Sequence, residues 1–418
     1  MPTLQQWVNA LAIPRHITIE SSQALLDSVR EKQAQRNARL RASGRSPALK
    51  KDQLEVVQRF APSRTVPLRP IDLLHRLGVI TTPVVPNLAD ISSWWAYIRY
   101  LWAFELPDGT SDDRLRLSDA ALGIDVHQKR LMSDQIGVGM AALIMKLYFD
   151  APGASDVAVA LNEQVLPVDL TEATSPDYLF WNAEQTAYYV VECKGTRCPR
   201  SVALDQLRRG TEQVPSLRFT DGRQPPTALV IGTRLTGNGT EVMIIDPPPD
   251  EEGPKGVIKL GSNKWEISDP KEFQRVTGMV SELKILGYAA ADQAAEDIVR
   301  EKWTRIAEAW PTRRRRTVVR ENTFGEFSGV QQTLPFLDDV HVEVFQGIGR
   351  GVLAGHLKHD DAIVRAEREE LLDRIQAYAD DPEHREQFGF QKTENTDGIG
   401  VLSVSSDGTI LEIRLAAA

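Results

Sequence analysis

The stretch SPDYLFWNAEQTAYYVVECKGT, residues 175–196, constrains the fold of this chain more than any other segment. Two apolar runs, DYLFW and AYYVVECK, flank the turn-like NAEQT, which is the pattern of a β-hairpin. The second run ends in an acid, Glu192, and a base, Lys194. Charges at the end of a buried strand are costly unless they are paired or bind a metal. The segment therefore holds either a structural ion pair or a functional site.

The register of this hairpin is expected to bring a second acid to the first. Residues two apart in a strand share a face, so Glu192 and Lys194 point the same way. If the pairing is symmetric about Glu184 and Gln185, Asp177 falls opposite Glu192. Cross-strand neighbours lie about 4.5–5.5 Å apart at Cβ. Two carboxylates this close repel each other, which raises their pKa values unless a cation lies between them.

This pair of acids and its neighbouring lysine suit a hard divalent cation. Mg²⁺ takes oxygen ligands from one or two carboxylates and keeps several waters. Lys194 lies on the same face, where it can orient or polarise a metal-bound water or neutralise a phosphate oxygen. Such a set of groups serves phosphodiester hydrolysis, because the cation stabilises developing charge and lowers the pKa of water. The sequence therefore predicts a metal-dependent hydrolytic site.

The order Pro176-Asp177, a hydrophobic strand, the triplet ECK and then a helix resembles the PD-(D/E)xK nuclease superfamily. The resemblance covers roughly residues 125–250 and implies a restriction-endonuclease-like fold. It also implies that Asp177 and Glu192 bind the metal and that Lys194 serves the nucleophilic water, all three being catalytic.

Two further roles follow only from this resemblance. Many members of the superfamily carry an acid on the helix before the first strand. Asp134 is the closest match here as a third metal ligand, and Gln135 is the alternative. Several branches carry a glutamine on the helix after the triplet. Gln206 fits that catalytic position, and Gln213 lies on nearly the same helix face.

Basic residues near the triplet are candidate contacts for a nucleic-acid backbone. The sequence after the triplet is locally rich in arginine, which suits phosphates approaching an otherwise acidic site. The alternative is a solvated helix face. The candidates are Arg197, Arg200, Arg208 and Arg209.

Helix-like and strand-like segments in the rest of the chain predict an α/β fold with a mixed sheet flanked by helices. One helix is expected in SDQIGVGMAALIMKLYFDA, with Ser133 as its N-cap. Asp407-Gly408 between two alternating strands predicts a hairpin near the C-terminus. The expected organisation is an N-terminal mostly helical region at 1–115, a nuclease core at 116–250, a linker and helical segment at 251–316, and a small C-terminal α+β domain at 317–418.

Composition bounds the cellular setting and the partners of the chain. It has 418 residues and a net charge of −9, which argues against a uniformly cationic coat but not against a local basic groove. Its two cysteines, Cys193 and Cys198, do not make a disulfide framework, so a reducing cytosol is expected. No apolar run approaches the roughly 20 residues of a membrane span. We therefore expect a cytoplasmic protein without a signal peptide or a membrane partner.

The function expected from these features is Mg²⁺-dependent cleavage of phosphodiesters, with Mn²⁺ able to substitute. DNA is expected in preference to RNA, in an effector of restriction or anti-phage defence. A homodimer and a partner protein of the defence system fit that setting. Two alternatives stay open: an inactive nuclease fold that acts as a nucleic-acid or protein binding scaffold, and a toxin that cleaves RNA.

Overall fold

The structure of the protein is a computed structural model, which describes most of the chain outside one long central segment. The described residues are 4–44, 54–81, 99–107, 113–157, 168–170, 175–181, 188–214, 217–219, 227–246, 317–337, 340–358, 360–380, 399–405 and 408–417. The linker and helical segment expected at 251–316 lies outside them.

Helices and strands alternate along the described part of the chain. The helices are α1 (Leu4–Ala12), α2 (Gln23–Ala42), α3 (Pro70–Thr81), α4 (Asp119–Gly123), α5 (Val126–Phe149), α6 (Arg200–Gln213), α7 (Arg350–Lys358) and α8 (Asp361–Asp380). The strands are β1 (Arg15–Glu20), β2 (Ser63–Leu68), β3 (Gly153–Asp156), β4 (Val168–Leu170), β5 (Tyr178–Trp181), β6 (Tyr188–Thr196), β7 (Leu217–Phe219), β8 (Thr227–Thr236), β9 (Gly239–Ile245), β10 (Thr317–Asn322), β11 (Gly325–Leu337), β12 (Val340–Gly349), β13 (Ile399–Val404) and β14 (Thr409–Ala417).

The main sheet has seven strands in the order β2-β1-β9-β8-β6-β5-β3. It is mixed, because β6 pairs with β8 and β1 with β9 in parallel, while the other neighbours are antiparallel. One hydrophobic core joins α3 and α5 to one face of this sheet, and a second core joins α2 and α6 to the other. The predicted mixed α/β sheet flanked by helices is confirmed at this level.

The first 115 residues are less purely helical than the sequence suggested. RHITIE and SRTVPL form β1 and β2, which pair with each other and join the main sheet through β9. Side chains of β1 alternate between buried and more exposed positions, as a strand covered on one face requires. The boundary expected at 115 and 116 therefore does not separate two sheets, since strands from both sides of it share one.

Helix α5 begins earlier than the sequence predicted. Asp125, rather than Ser133, is its N-cap, and its carboxylate accepts the backbone N–H groups of His127 at 2.9 Å and Gln128 at 3.1 Å. Ser133 lies inside the helix and donates its hydroxyl to the carbonyl of Lys129. Residues 126–130 at the start are mostly polar and exposed, so apolar periodicity did not reveal them.

The C-terminal part has its own antiparallel sheet, in the order β10-β11-β12-β14-β13, with α7 and α8. The predicted hairpin is confirmed: β13 and β14 pair from Val404 and Ile410 outward. Gly408 in that turn has a φ of 90°, which a glycine adopts without the strain of a side chain.

The two sheets are joined through the N-terminal helices. Leu73 and Leu77 of α3 belong to one continuous core with Val401 and Ile413 of the C-terminal sheet. Among the helices described, none is long and apolar enough to cross a membrane.

Candidate functional site

The site lies on the hairpin of β5 and β6. Tyr178 pairs with Val191 and Trp181 with Tyr188, and this register continued by one residue places Asp177 opposite Glu192. It is the register that a symmetric loop predicts. Strand β6 is also the partner of β8, so Glu192 lies in the interior of the main sheet rather than at its edge.

Reciprocal hydrogen bonds hold the two carboxylates in place. The backbone N–H of Asp177 donates to Glu192 Oε2 at 3.1 Å, and the backbone N–H of Cys193 donates to Asp177 Oδ2 at 2.8 Å. Lys194 Nζ donates to Glu192 Oε1 as an ion pair. The Glu192 side chain has no exposed surface, whereas the Lys194 side chain is 21% exposed. The lysine therefore reaches from a buried acid toward solvent.

Burial and mutual repulsion set the protonation of the two acids. Burial raises the pKa of Glu192 to about 7, and the charge of Asp177 adds to this rise, while Lys194 opposes it. Burial also raises the pKa of Asp177, against the opposing effects of Lys194 and the Cys193 N–H. One ammonium thus faces two carboxylates, and it does not offset the cost of ionising both.

Helix α6 covers this group on the α2 and α6 side of the sheet. A Cβ built on Gly210 would lie 3.2 Å from Glu192 Cγ, so the helix backbone rests on the Glu192 side chain. Gln213 Nε2 donates to the carbonyl of Ser175 at 3.5 Å, two residues before Asp177. Gln206 lies one turn before Gly210 on the same helix face. Because α6 connects two parallel strands, it runs opposite to β6, which places Gln206 about level with Lys194.

Helix α5 crosses β6 on the opposite side of the sheet, directly behind the site. A Cβ on Gly137 would lie 2.8 Å from Gly195 Cα, and one on Gly195 would collide with the Ser133 carbonyl oxygen. This close approach brings the next residue, Asp134, near enough to Lys194 for the ammonium to lower its pKa, although burial raises that pKa overall. Asp134 also pairs with Arg130 at 3.8 Å.

The two candidates for the helix acid differ in their surroundings. The side-chain oxygen Oε1 of Gln135 accepts a hydrogen bond from the hydroxyl of Tyr100, so that side chain already has a partner. Asp134 is the neighbour of Lys194. Of the two candidates, Asp134 is therefore the one with an interaction with the site, through the charge of Lys194.

The oxygen atoms present suit a hard cation, although the donor set is small. No cluster of three or more His, Cys, Asp and Glu side chains able to hold a metal occurs among the described residues, so Asp134 does not close a three-acid site here. Mg²⁺ needs only one or two carboxylates when it keeps its waters. Asp177 and Glu192 meet that requirement, and within the described ranges no donor reaches Asp177 Oδ1. A buried acid and a half-buried acid with a single ammonium fit a divalent cation.

The four arginines do not form one free basic surface. Arg197 donates to the carbonyl of Ala121 at 2.8 Å, and Arg200 pairs with Glu20 at 2.5 Å and with Glu241. Each of these side chains therefore has a structural contact within the protein.

The other two arginines lie on α6. Arg208 does not fit the predicted contact with a nucleic-acid backbone. Its side chain is 1% exposed and bonded to Asp205 at 2.9 Å and Glu212 at 2.8 Å, so a phosphate cannot reach it. Arg209 pairs with Asp205 at 3.2 Å but remains 62% exposed. It is the best placed of the four candidates for contact with a nucleic acid.

Sequence reasoning missed the backbone groups and glycines that build the site. The Cys193 N–H orients Asp177, and Gly137, Gly195 and Gly210 let two helices approach the strand. A glycine directly after the triplet, as in ECKG, was the available signal for a close helix crossing.

Comparisons of the chain with protein-family models, curated proteins and solved structures find no match in any of the three. The interpretation of the site therefore rests on its own geometry.

Proposed function

We propose that this chain is a Mg²⁺-dependent nuclease with a restriction-endonuclease-like core, and that Asp177, Glu192 and Lys194 carry its chemistry. One observation supports this more than any other: a buried and a half-buried carboxylate face each other across β5 and β6 with a single ammonium beside them. A structural ion pair needs one acid. The second acid, Asp177, adds a half-buried negative charge that Lys194 and the Cys193 N–H oppose only in part, since its pKa stays raised.

The energetic cost of that charge is the reason to expect a cation. Burying a charge without full compensation costs several kcal/mol, and raised pKa values are its signature. The cost is compensated when a divalent cation binds both carboxylates. Such clusters of raised pKa values are typical of functional sites, whereas a stability role would favour a balanced pair.

The residues of the chain take distinct roles in this proposal. Asp177 and Glu192 would hold Mg²⁺ through carboxylate oxygens that the backbone N–H groups already orient. When bound, Mg²⁺ supplies positive charge for the developing phosphorane and lowers the pKa of a water. Lys194 presents its ammonium from the same strand, where it can donate to a phosphate oxygen or to the attacking water. Gln206 would position that water from the helix side, because it lies about level with Lys194.

The substrate in this proposal is DNA, in preference to RNA, and Mn²⁺ can replace Mg²⁺. The setting is cytoplasmic restriction or anti-phage defence, in which a second copy of the chain or a partner protein would complete the system. Support for the setting comes from the superfamily resemblance, since fold alone does not determine function.

The test is cleavage of supercoiled plasmid, linear duplex, single-stranded DNA and RNA in Mg²⁺, Mn²⁺ or EDTA. We expect metal-dependent cleavage of DNA by the wild type. Replacing Asp177 by Asn, Glu192 by Gln or Lys194 by Met should each lower the rate about 100-fold or more, because each removes charge from the reacting centre.

The matched control is Asp246→Asn. Asp246 is also an acid whose pKa is raised, to about 6, by burial and by Glu55, but it lies at the end of β9 outside the site. We expect this variant to cleave at the wild-type rate. Equal losses in Asp246→Asn and Asp177→Asn would contradict the proposed site. Calorimetry that finds no Mg²⁺ bound to the wild type would favour the binding-scaffold alternative.

A further inference from the structure

Helix α2 is longer than the core that it packs on. It has 20 residues, but its buried side chains are Leu25, Leu26 and Val29, all in the first half. The side chains of 30–42 are half-buried or exposed. We call residues 30–42 the α2 arm. A helix that extends beyond its own hydrophobic contacts is not explained by burial of apolar surface.

The α2 arm is basic in an acidic protein. It contains five basic residues against one acid, Glu31, while the whole chain has a net charge of −9. The basic residues are Arg30, Lys32, Arg36, Arg39 and Arg41. A local positive field of this kind attracts an anionic partner even when the total charge is negative.

Some of these cations already serve the fold, and others do not. Arg30 pairs with Asp27 at 2.9 Å and donates to the carbonyl of Leu54 at 3.1 Å. Arg36 lies 3.7 Å from Glu212 of α6. Arg39 and Arg41 are exposed, and neither side chain makes an ion pair within the described part of the chain. Lys32, which is half-buried, likewise makes none there. As far as the described residues show, three cations thus remain available to a partner.

The α2 arm lies in the same layer as the helix that covers the candidate site. Arg208 of α6 donates to Gln33 at 3.2 Å, so the two helices are side by side. Helix α6 in turn rests on Glu192 through Gly210. The arm, α6 and the Asp177–Glu192 pair are therefore on one side of the main sheet.

We propose that the α2 arm binds the phosphate backbone of double-stranded DNA, with Lys32, Arg39 and Arg41 as the contacts. Phosphates are the complementary partner for exposed, unpaired guanidinium and ammonium groups. Helix α2 contains no aromatic residue, so it offers no platform for stacking unpaired bases. This favours a duplex, whose outer surface is backbone, over a single strand. The choice of DNA rests on the proposed nuclease function.

The test is the binding of a fluorescent duplex DNA to the full chain in EDTA, where no metal-dependent cleavage occurs. Anisotropy is followed over a salt series for the wild type, Arg39→Ala/Arg41→Ala and Arg39→Lys/Arg41→Lys. Each lost phosphate contact lowers the slope of log K against log salt by about 0.9. We therefore expect the alanine pair to lose about two from the slope and roughly tenfold or more in affinity near 0.1 M salt. The lysine pair keeps the charges and should keep the slope.

The outcomes separate this proposal from the nuclease proposal. If the wild type cleaves DNA but the wild type and the alanine pair bind the duplex equally, the DNA-binding role of the α2 arm is wrong. The nuclease proposal is then unaffected. Arm-dependent binding without cleavage in any metal supports the arm and removes the nuclease. Absence of duplex binding by the wild type, or a stronger arm-dependent affinity for duplex RNA, contradicts the arm's assignment to DNA. Unchanged melting temperatures for both pairs ensure that the comparison reports binding and not folding.

Discussion

Glu192 has no exposed side-chain surface, and its pKa is raised to about 7, first by burial and then by repulsion from Asp177. Its ordinary value is 4.5. Between these two pH values the folded chain holds a proton that the unfolded chain has lost. The free energy of unfolding therefore falls as pH rises through this window, which is the reverse of the usual behaviour of a paired acid.

Glu192→Gln should remove this pH dependence. In EDTA we expect the variant and the wild type to have similar free energies of unfolding near pH 4.5. At pH 8 the variant should be the more stable, by at most about 3 kcal/mol, because the neutral amide is not penalised by burial. Urea denaturation at several pH values measures the difference.

The control of opposite sign is Asp205→Asn. Although burial raises the pKa of Asp205, its bonds to Arg208 and Arg209 lower it overall, so that variant should lose stability at neutral pH rather than gain it. A Glu192→Gln variant that is less stable than wild type at pH 8 would show that Glu192 is a stabilising partner of Lys194. Mg²⁺ should stabilise the wild type more than Glu192→Gln.

At the scale of elements, the site depends on how closely α5 crosses β6. The helix carries Gly137 and the strand carries Gly195, and neither position has room for a Cβ. This close crossing of α5 and β6 places Asp134 near Lys194. Helix α5 thus packs on the face of β6 opposite the two acids. Small residues at a crossing allow backbones to come within contact distance, and a methyl group there must displace one of them.

Gly195→Ala should destabilise the protein by about 1–3 kcal/mol or more, because the added Cβ would overlap the Ser133 carbonyl oxygen. Gly123→Ala is the matched control, since a Cβ at the end of α4 meets no atom within 4 Å. Its free energy of unfolding should stay within about 0.5 kcal/mol of the wild type. Equal effects of the two substitutions in chemical denaturation would mean that the crossing is not tight.

At the scale of the whole molecule, polar side chains connect the C-terminal sheet to α3. The Ser403 hydroxyl on β13 donates to Asp72 Oδ1 at 2.7 Å and lies 3.0 Å from Nδ1 of His75. Burial alone would raise the pKa of Asp72, but Arg69 and the Ser403 hydroxyl hold it below its ordinary value. Ser403 is more than 300 positions from Asp72 and His75 in sequence, so these bonds join β13 to a distant part of the chain.

Ser403→Ala should cost about 1–3 kcal/mol, because the hydroxyl bonds two side chains of α3 in the interior. Ser43→Ala, which removes an exposed hydroxyl bonded to the carbonyl of Leu40, should change stability little. A double-mutant cycle of Ser403→Ala with His75→Ala should give a coupling energy of about 0.5–3 kcal/mol. If the two losses of stability simply add, the proposed polar link between β13 and α3 is wrong.

The sequence also predicted much of the site and less of its surroundings. The hairpin register, and with it the meeting of Asp177 and Glu192, followed from a symmetric loop between two apolar runs. Membership of β1 and β2 in the main sheet did not follow. Their partners lie far along the chain, and six-residue strands carry too short a pattern to identify them.

By itself, the sequence determined what local periodicity and turn chemistry control: the mixed α/β class, the β5–β6 hairpin and the shared face of Glu192 and Lys194. Only the tertiary structure decided that the Tyr100 hydroxyl bonds the Gln135 side chain and that Arg208 is buried between α6 and α2. The same holds for the contact of Gly195 with the backbone of α5. The physical reason is the separation along the sequence of the residues that interact. Residues two apart in a strand share a face in any fold, whereas burial and ion pairing depend on which distant elements pack together.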